Sequence, residues 1–191
     1  MDFDGLTFAC ATSAEERVAR RLGLDAVRVG ISVANGVPEG SLVSFGLAGS
    51  LGELGVGEVL DATRVVDETG ATLWEGPGLG VRGARTGVVL GGDVLVHDAA
   101  ERARLREVSG ADAVDMESGV LARSGRLAGV LRAISDDSAS AVEGVDRTVH
   151  RDGRTNVAGL LRWVATRRGD AVRSMRDALR ALHALEEAVA T

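Results

Sequence analysis

Acidic residues that could move protons follow short apolar runs at three places in the sequence. Asp112-Ala113-Val114-Asp115 leads into Met116-Glu117-Ser118, and Leu131-Arg132-Ala133-Ile134 leads into Ser135-Asp136-Asp137. Near the start, the run Leu6 to Ala11 leads through Thr12-Ser13-Ala14 to Glu15-Glu16. If the runs are strands of an α/β protein, their carboxyl ends are where ligands bind. Carboxylates placed there are positioned for general acid and general base work. The competing reading is local. Asp after a strand often caps a helix or forms a turn, and Glu in a first helical turn is favoured by the macrodipole. Other chemistries have little support. Cys10 stands alone in an apolar run, which excludes an internal disulfide and a zinc-type cluster. His97, His150 and His183 lie far apart with no ligand spacing, so no metal and no cofactor are expected.

The elements that would carry these residues alternate between apolar runs and helical patterns, which predicts α/β architecture. Leu6–Ala11 reads as a first buried strand. Thr12 or Ser13 then caps a helix that stops at Gly23, and Ala26–Ser32 reads as a second strand. The link Asn35-Gly36-Val37-Pro38-Glu39-Gly40 is too short and too rich in turn residues for a helix. Ser41–Phe45 reads as a third strand ending in the glycine turn Gly46-Leu47-Ala48-Gly49. From Gly57 to Val81 a strand and a hairpin around Glu68-Thr69-Gly70 are expected. A strand over Thr86–Asp93 and a helix through His97–Arg102 follow. After a loop to about Asn156, a helix over Val157–Arg167 and a longer one from Asp170 are expected. In the longer one, Val172, Met175, Leu179, Leu182, Leu185 and Val189 form an apolar stripe read as core packing.

The chain has 191 residues, 45% of them hydrophobic, and a formal net charge of -6. That is one domain's worth and enough for a sizeable core. All 22 basic positions are Arg, spread along the chain, and the negative balance argues against nucleic acid as a partner. The start carries Asp2 and Asp4 and has neither a basic leader nor a long apolar stretch. A cytoplasmic protein without an integral membrane segment is therefore the expectation.

Three of these segments, in this order, resemble motifs of the nucleoside phosphorylase and nucleosidase superfamily. Val43-Ser44-Phe45-Gly46-Leu47-Ala48-Gly49-Ser50-Leu51, followed by Gly57-Glu58-Val59-Leu60, is similar to its Gly-x-Ala-Gly turn and the strand start after it. Val114-Asp115-Met116-Glu117-Ser118 and Arg132-Ala133-Ile134-Ser135-Asp136 are similar to its two later motifs. The resemblance implies a single domain over residues 1–191. Its fold would be a three-layer α/β sandwich with a central mixed twisted sheet flanked by helices. Within the superfamily, NGVPEGSLVSFGLAG, GADAVDMESGVLA and RAISDDSAS resemble most the hopanoid-associated branch, thought to release adenine from adenosylhopane. The methylthioadenosine/S-adenosylhomocysteine nucleosidases come next, then futalosine hydrolase, a purine nucleoside phosphorylase, or a homologue that binds nucleosides without turnover.

What the resemblance implies for the site is specific. Asp136 is the general acid at the purine N7, a role needing a protonated carboxyl that a buried place beside other carboxylates would favour. Glu117 clamps the ribose hydroxyls and faces the cationic transition state. Glu15 is the base that activates water, with Glu16 as its alternative if the register slips by one. Met116 lies against the ribose. Ala48 and Gly49 belong to the substrate-binding turn, and Val94, Leu95 and Val96 line the base pocket. With no Tyr in the chain, the base is held by aliphatic packing and backbone, or by a partner subunit's Phe or Trp. The expected ligand is a small purine nucleoside, the expected assembly a homo-oligomer (a dimer or larger). Peripheral membrane contact is expected if the substrate is a lipid. Where the superfamily's phosphorylases carry a Gly followed by an Arg, this chain reads Ala11-Thr12-Ser13-Ala14-Glu15-Glu16, which favours hydrolysis. Arg17, Arg64, Arg82 and Arg85 are the cations that could argue for phosphate.

Overall fold

The computed structural model describes residues 3–92, 96, 98–136, 149–156 and 168–190. Its apolar runs are strands and its amphipathic segments are helices. β1 (Leu6–Cys10), α1 (Ser13–Arg21), β2 (Ala26–Arg28) and a 3-10 turn (Ile31–Val33) form the first unit. β3 (Ser41–Ser50), β4 (Val59–Val66), β5 (Thr72–Glu75) and β6 (Arg85–Gly91) follow. Then come α2 (Ala99–Ser109), β7 (Ala113–Asp115), α3 (Ser118–Arg123), β8 (Leu127–Asp136) and α4 (Arg168–Ala190).

The strands make one mixed eight-stranded sheet. β1 runs parallel to both β2 and β3, and β3 parallel to β8. β8 is antiparallel to β4, β4 is parallel to β6, and β6 is parallel to β7. β7 then returns antiparallel to the last residues of β3, pairing Gly49 with Val114. The strands β3, β8, β4, β6 and β7 therefore close a circuit, with β2 and β1 extending one side and β5 the other. This is the mixed central sheet with flanking helices that the resemblance implies.

Apolar burial holds the layers together. Phe8 and Phe45 meet edge-on with ring centroids 5.5 Å apart, and Phe3 meets Phe8 in the same way at 5.4 Å. Val18 of α1 and Ala181 and Leu185 of α4 pack into the same cluster, with Val59 and Leu131. A second cluster joins Leu42, Leu60, Val89 and Ile134 of the sheet to Leu121 and Ala122 of α3. Each fully buried Leu, Ile, Val or Phe contributes roughly 1.5–3 kcal/mol, so these clusters fix α1, α3 and α4 on the sheet.

Three expectations are corrected by the structure. β3 does not stop at Phe45 but runs through Gly46-Leu47-Ala48-Gly49, because β8 pairs with it from Leu42 to Gly49. β2 ends at Arg28, since Gly30, Ser32 and Val33 have left-handed φ values of 77°, 50° and 57°. In α4, Val172, Met175 and Leu179 are exposed, while Ala171, Ala181 and Leu185 are buried. The helix docks through small residues there, with Leu182 and Val189 at the margin of the cluster. The helix expected over Val157–Arg167 lies outside the described residues.

Residues 149–156 run across the amino end of α1. Ser13 N donates to Gly153 O at 3.0 Å, Ile31 N to Arg151 O at 2.9 Å, and Arg28 Nε to Asp152 O at 3.0 Å. Gly153 makes this approach possible: its φ is +79°, and a Cβ there would lie 2.1 Å from Ala11 O. Gly153→Ala is therefore expected to lower stability by at least about 1–2 kcal/mol, the left-handed penalty alone. Thermal or urea unfolding measures it, and an unchanged midpoint would contradict this docking.

Candidate functional site

A cleft of about 430 Å³ opens where the carboxyl ends of β1, β7 and β8 meet the later part of β3. Ala11, Thr12 and Glu15 border it from the β1–α1 junction, and Leu47, Ala48 and Gly49 from β3. Asp115, Met116 and Glu117 enter from the β7–α3 junction, Ser135 and Asp136 from the end of β8, and Arg102 from α2. Val114, Ile31, Val149, Arg151, Ser174 and Ala178 complete the wall. Glu15, Glu117, Asp136, Met116, Ala48 and Gly49, far apart in sequence, thus share one cavity. Val96 does not line it; that side chain packs with Leu51, Leu90 and Leu105, and its contribution is a carbonyl. Val94 and Leu95 lie outside the described residues.

Glu15 is both a capping residue and a cleft residue. Thr12 is the N-cap of α1 and forms a capping box with it: Glu15 N donates to Thr12 Oγ1 at 3.3 Å, and Thr12 N donates to Glu15 Oε2 at 2.7 Å. Thr12 Oγ1 reaches the same oxygen at 2.9 Å, and Leu47 N donates to Oε1 at 2.8 Å. A Cβ on Gly46 would lie 2.2 Å from Oε1, so the absent side chain makes room for the carboxylate. Glu16 is occupied elsewhere, ion-paired with Arg20 at 2.8 Å and Arg28 at 3.1 Å. Of the two, Glu15 is the one on the cleft wall.

Beneath the cleft lies Arg132, fully buried in β8. Its Nε stands 2.6 Å from Asp115 Oδ2, without an N–H aligned on that oxygen. Its Nη2 donates to Ser44 Oγ at 2.6 Å and stands 3.5 Å from Glu117 Oε2, and Nη1 donates to Leu47 O at 3.3 Å. Asp115 Oδ1 accepts from Glu117 N at 3.1 Å and from Ser118 N at 2.8 Å, which fixes the start of α3. Ser118 Oγ lies against Asp115 Oδ2 and is 2.9 Å from Ser44 Oγ. Burial works against the Arg132 charge, but Asp115, Glu117 and Glu15 together hold the guanidinium more firmly cationic than usual.

Glu117 Oε1 accepts from Ser32 N at 3.1 Å. Burial pushes its carboxyl up to about 8; Asp115 and Glu15 add to the rise, while Arg132 and the Ser32 amide oppose it.

Asp136 ends β8, opposite Gly49 in the strand register. Its Oδ1 accepts from Ser135 Oγ at 3.0 Å, and its Oδ2 is ion-paired with Arg102 Nη2. Its charged neighbour is thus a guanidinium, where the sequence reading expected other carboxylates. The Arg102 fork is itself anchored, Nη1 donating to Ser50 O at 2.9 Å and Nε to Val96 O at 3.1 Å.

Sequence reasoning missed Asp115, Arg132, Arg102 and Arg151. A charged residue in the middle of the apolar run Leu127–Ile134 is the signal that could have found Arg132, because a buried cation needs a buried partner. Arg102 stands among Arg104 and Arg106 in a helix with nothing to distinguish it. The cations weighed for phosphate, Arg17, Arg64, Arg82 and Arg85, are all exposed and border no part of the cleft. Among the described residues, no cluster of His, Cys, Asp and Glu is arranged to hold a metal, and no helix is long and apolar enough to cross a membrane.

No protein-family model matches the chain, and no curated protein does. Solved structures match over nearly its whole length. The methylthioadenosine/S-adenosylhomocysteine nucleosidase of Helicobacter pylori superposes with a TM-score of 0.63 at 16% identity, covering 95% of this chain and 94% of that one. The Campylobacter jejuni nucleosidase of the same name gives 0.54 at 18% identity, covering 96% and 99%. Futalosine hydrolase of H. pylori gives 0.55 at 17%, covering 93% and 96%. At such identities the likeness is one of fold.

The raised Glu117 carboxyl has a consequence for stability. Between the ordinary carboxylate value, about 4.3 in an unfolded chain, and about 8, the folded chain keeps a proton that the unfolded chain has lost. Its contribution is fully present below the lower value and is lost as pH rises through the upper one. Glu117→Gln cannot ionise and escapes that loss. The melting-temperature difference between variant and parent is expected to move in the variant's favour from about pH 5 to about pH 8.5. A difference independent of pH would contradict the buried acid.

Proposed function

The chain has the fold of the nucleoside phosphorylase/nucleosidase superfamily, and from that premise we propose that its cleft hydrolyses the N-glycosidic bond of a 5′-substituted adenosine, releasing adenine. The observation that carries the reading is the convergence on one cavity of Glu15 from the first turn of α1, Glu117 from the start of α3 and Asp136 from the end of β8. Asp136 donates a proton to N7 while the C1′–N9 bond breaks and its electron pair goes to the base. Glu117 holds the ribose hydroxyls. Glu15 takes the proton of the water that attacks C1′, and its fixed carboxylate is suited to orienting that water. Arg132 keeps Glu15 and Glu117 compatible in so small a volume.

The character of the wall bears on the 5′ substituent. Ile31, Leu47, Val114, Met116, Val149 and Ala178 make it largely apolar, and Val172, Met175 and Leu179 leave an apolar stripe on α4. Both features support an apolar 5′ group of the adenosylhopane kind more than a charged amino-acid tail.

Two outcomes test this reading. Asp136→Asn is expected to keep the fold and to lower kcat by at least the roughly 10²–10⁴-fold that general acid catalysis supplies; a mild effect would remove Asp136 from the chemistry. With an active nucleoside, product analysis is expected to give free sugar at equal rates with and without phosphate. A sugar 1-phosphate, or activity only with phosphate, would sink hydrolysis.

A further inference from the structure

We propose that Arg102 is a positioning residue for proton delivery to the departing base, acting through Asp136; this rests on the nucleosidase reading above. The plainer alternative is that the ion pair merely pins α2 to β8. A pin, however, needs no carboxylate on a cavity wall, and Asp136 keeps 27% of its side chain exposed there while Arg102 keeps 3%. The guanidinium is set before any substrate arrives, with Ser50 O and Val96 O fixing two of its nitrogens. Asp98 caps α2 by accepting from Ala100 N at 2.7 Å and Glu101 N at 3.0 Å, which holds the helix turn that carries Arg102. A buried Arg costs several kcal/mol to desolvate unless it is well paired, so this fork does not leave Asp136 without penalty.

The chemistry gives the pair a direction. With substrate bound, Asp136 takes up a proton from solvent; as the C1′–N9 bond breaks, its electrons pass to the purine and that proton passes to N7. What remains on the enzyme is a carboxylate against a guanidinium, the arrangement seen in the empty cleft. Arg102 neither gains nor loses a proton. It stabilises the state in which the proton has already moved, and it does so with a charge that needs no reorganisation. The other charged groups on the cleft wall are Glu15 from α1, Asp115 and Glu117 from the β7–α3 junction, and Arg151 from residues 149–156. Among the described residues, Arg102 is the ion-pair partner of Asp136.

The test compares Arg102→Met, which keeps the length and deletes the fork, with Arg102→Lys, Asp136→Asn and the Met/Asn double variant. Two substrates are used: an adenine nucleoside, whose base leaves protonated, and a 4-nitrophenyl riboside, whose phenolate needs no proton. Arg102→Met is expected to lower kcat on the adenine nucleoside by about tenfold or more, with KM little changed, and to spare the nitrophenyl riboside. Arg102→Lys should retain part of the activity, and serves in its place if Arg102→Met does not fold. On the adenine nucleoside alone, the double variant should be no slower than Asp136→Asn, because the two act as one unit. Equal losses on both substrates, or additive losses in the double variant, would reduce Arg102 to a structural pin and leave the nucleosidase reading standing. A parent protein that releases base from no nucleoside would remove that reading and this proposal together.

Discussion

The structure depends on how one buried guanidinium is compensated. Arg132 lies in the middle of β8, fully removed from solvent, where an uncompensated charge would cost several kcal/mol. Its compensation comes from Asp115 on β7, Ser44 on β3 and, through its field, Glu15 on α1, while Glu117 at the start of α3 stands beside it and becomes a second counter-charge once its carboxyl ionises. The carboxylate that faces Arg132 also caps α3 through two backbone amides. Satisfying this cation therefore joins β3, β7 and β8 and sets the direction from which Glu117 enters the cleft. Removing one partner from such a pair typically costs about 3–5 kcal/mol, because the other charge stays buried and unmatched.

Glu117 and Asp136 sit in different electrostatic surroundings. Glu117 is buried among carboxylates and keeps its proton to about pH 8, whereas Asp136 faces Arg102 at the rim. Acidic groups within one cavity are thus placed in different surroundings, as acid–base catalysis requires of groups with different tasks. Arg132 organises the β7–α3 side of the cleft, and Arg102 the end of β8.

Much of this was legible in the sequence, and the exceptions share a cause. Strand–acid junctions at Asp115-Met116-Glu117 and Ser135-Asp136, and the capped helix carrying Glu15, are local patterns of apolar run, cap and spacing. They placed Glu15, Glu117 and Asp136 near strand ends without any tertiary information. The continuation of β3 through Gly46 and Gly49 is decided by pairing with β8, a contact nearly ninety residues away in sequence, and local glycine content pointed the wrong way. In α4 the larger residues Val172, Met175 and Leu179 suggested the inner face, but close approach to the cleft needs small ones, and Ser174 and Ala178 occupy it. Arg102 could be found only in space, since its neighbours in the helix have the same chemistry and other partners.

The central claim is that this cleft breaks a glycosidic bond. The direct measurement is chromatographic quantitation of free purine base when the purified protein is incubated with a panel of adenosines bearing methylthio, homocysteinyl, apolar and unsubstituted 5′ positions. The account predicts adenine accumulating in step with free sugar, fastest for the apolar 5′ group. Nucleosides that bind but yield no free base at any 5′ substituent would contradict it and make the chain a nucleoside-binding homologue of this fold.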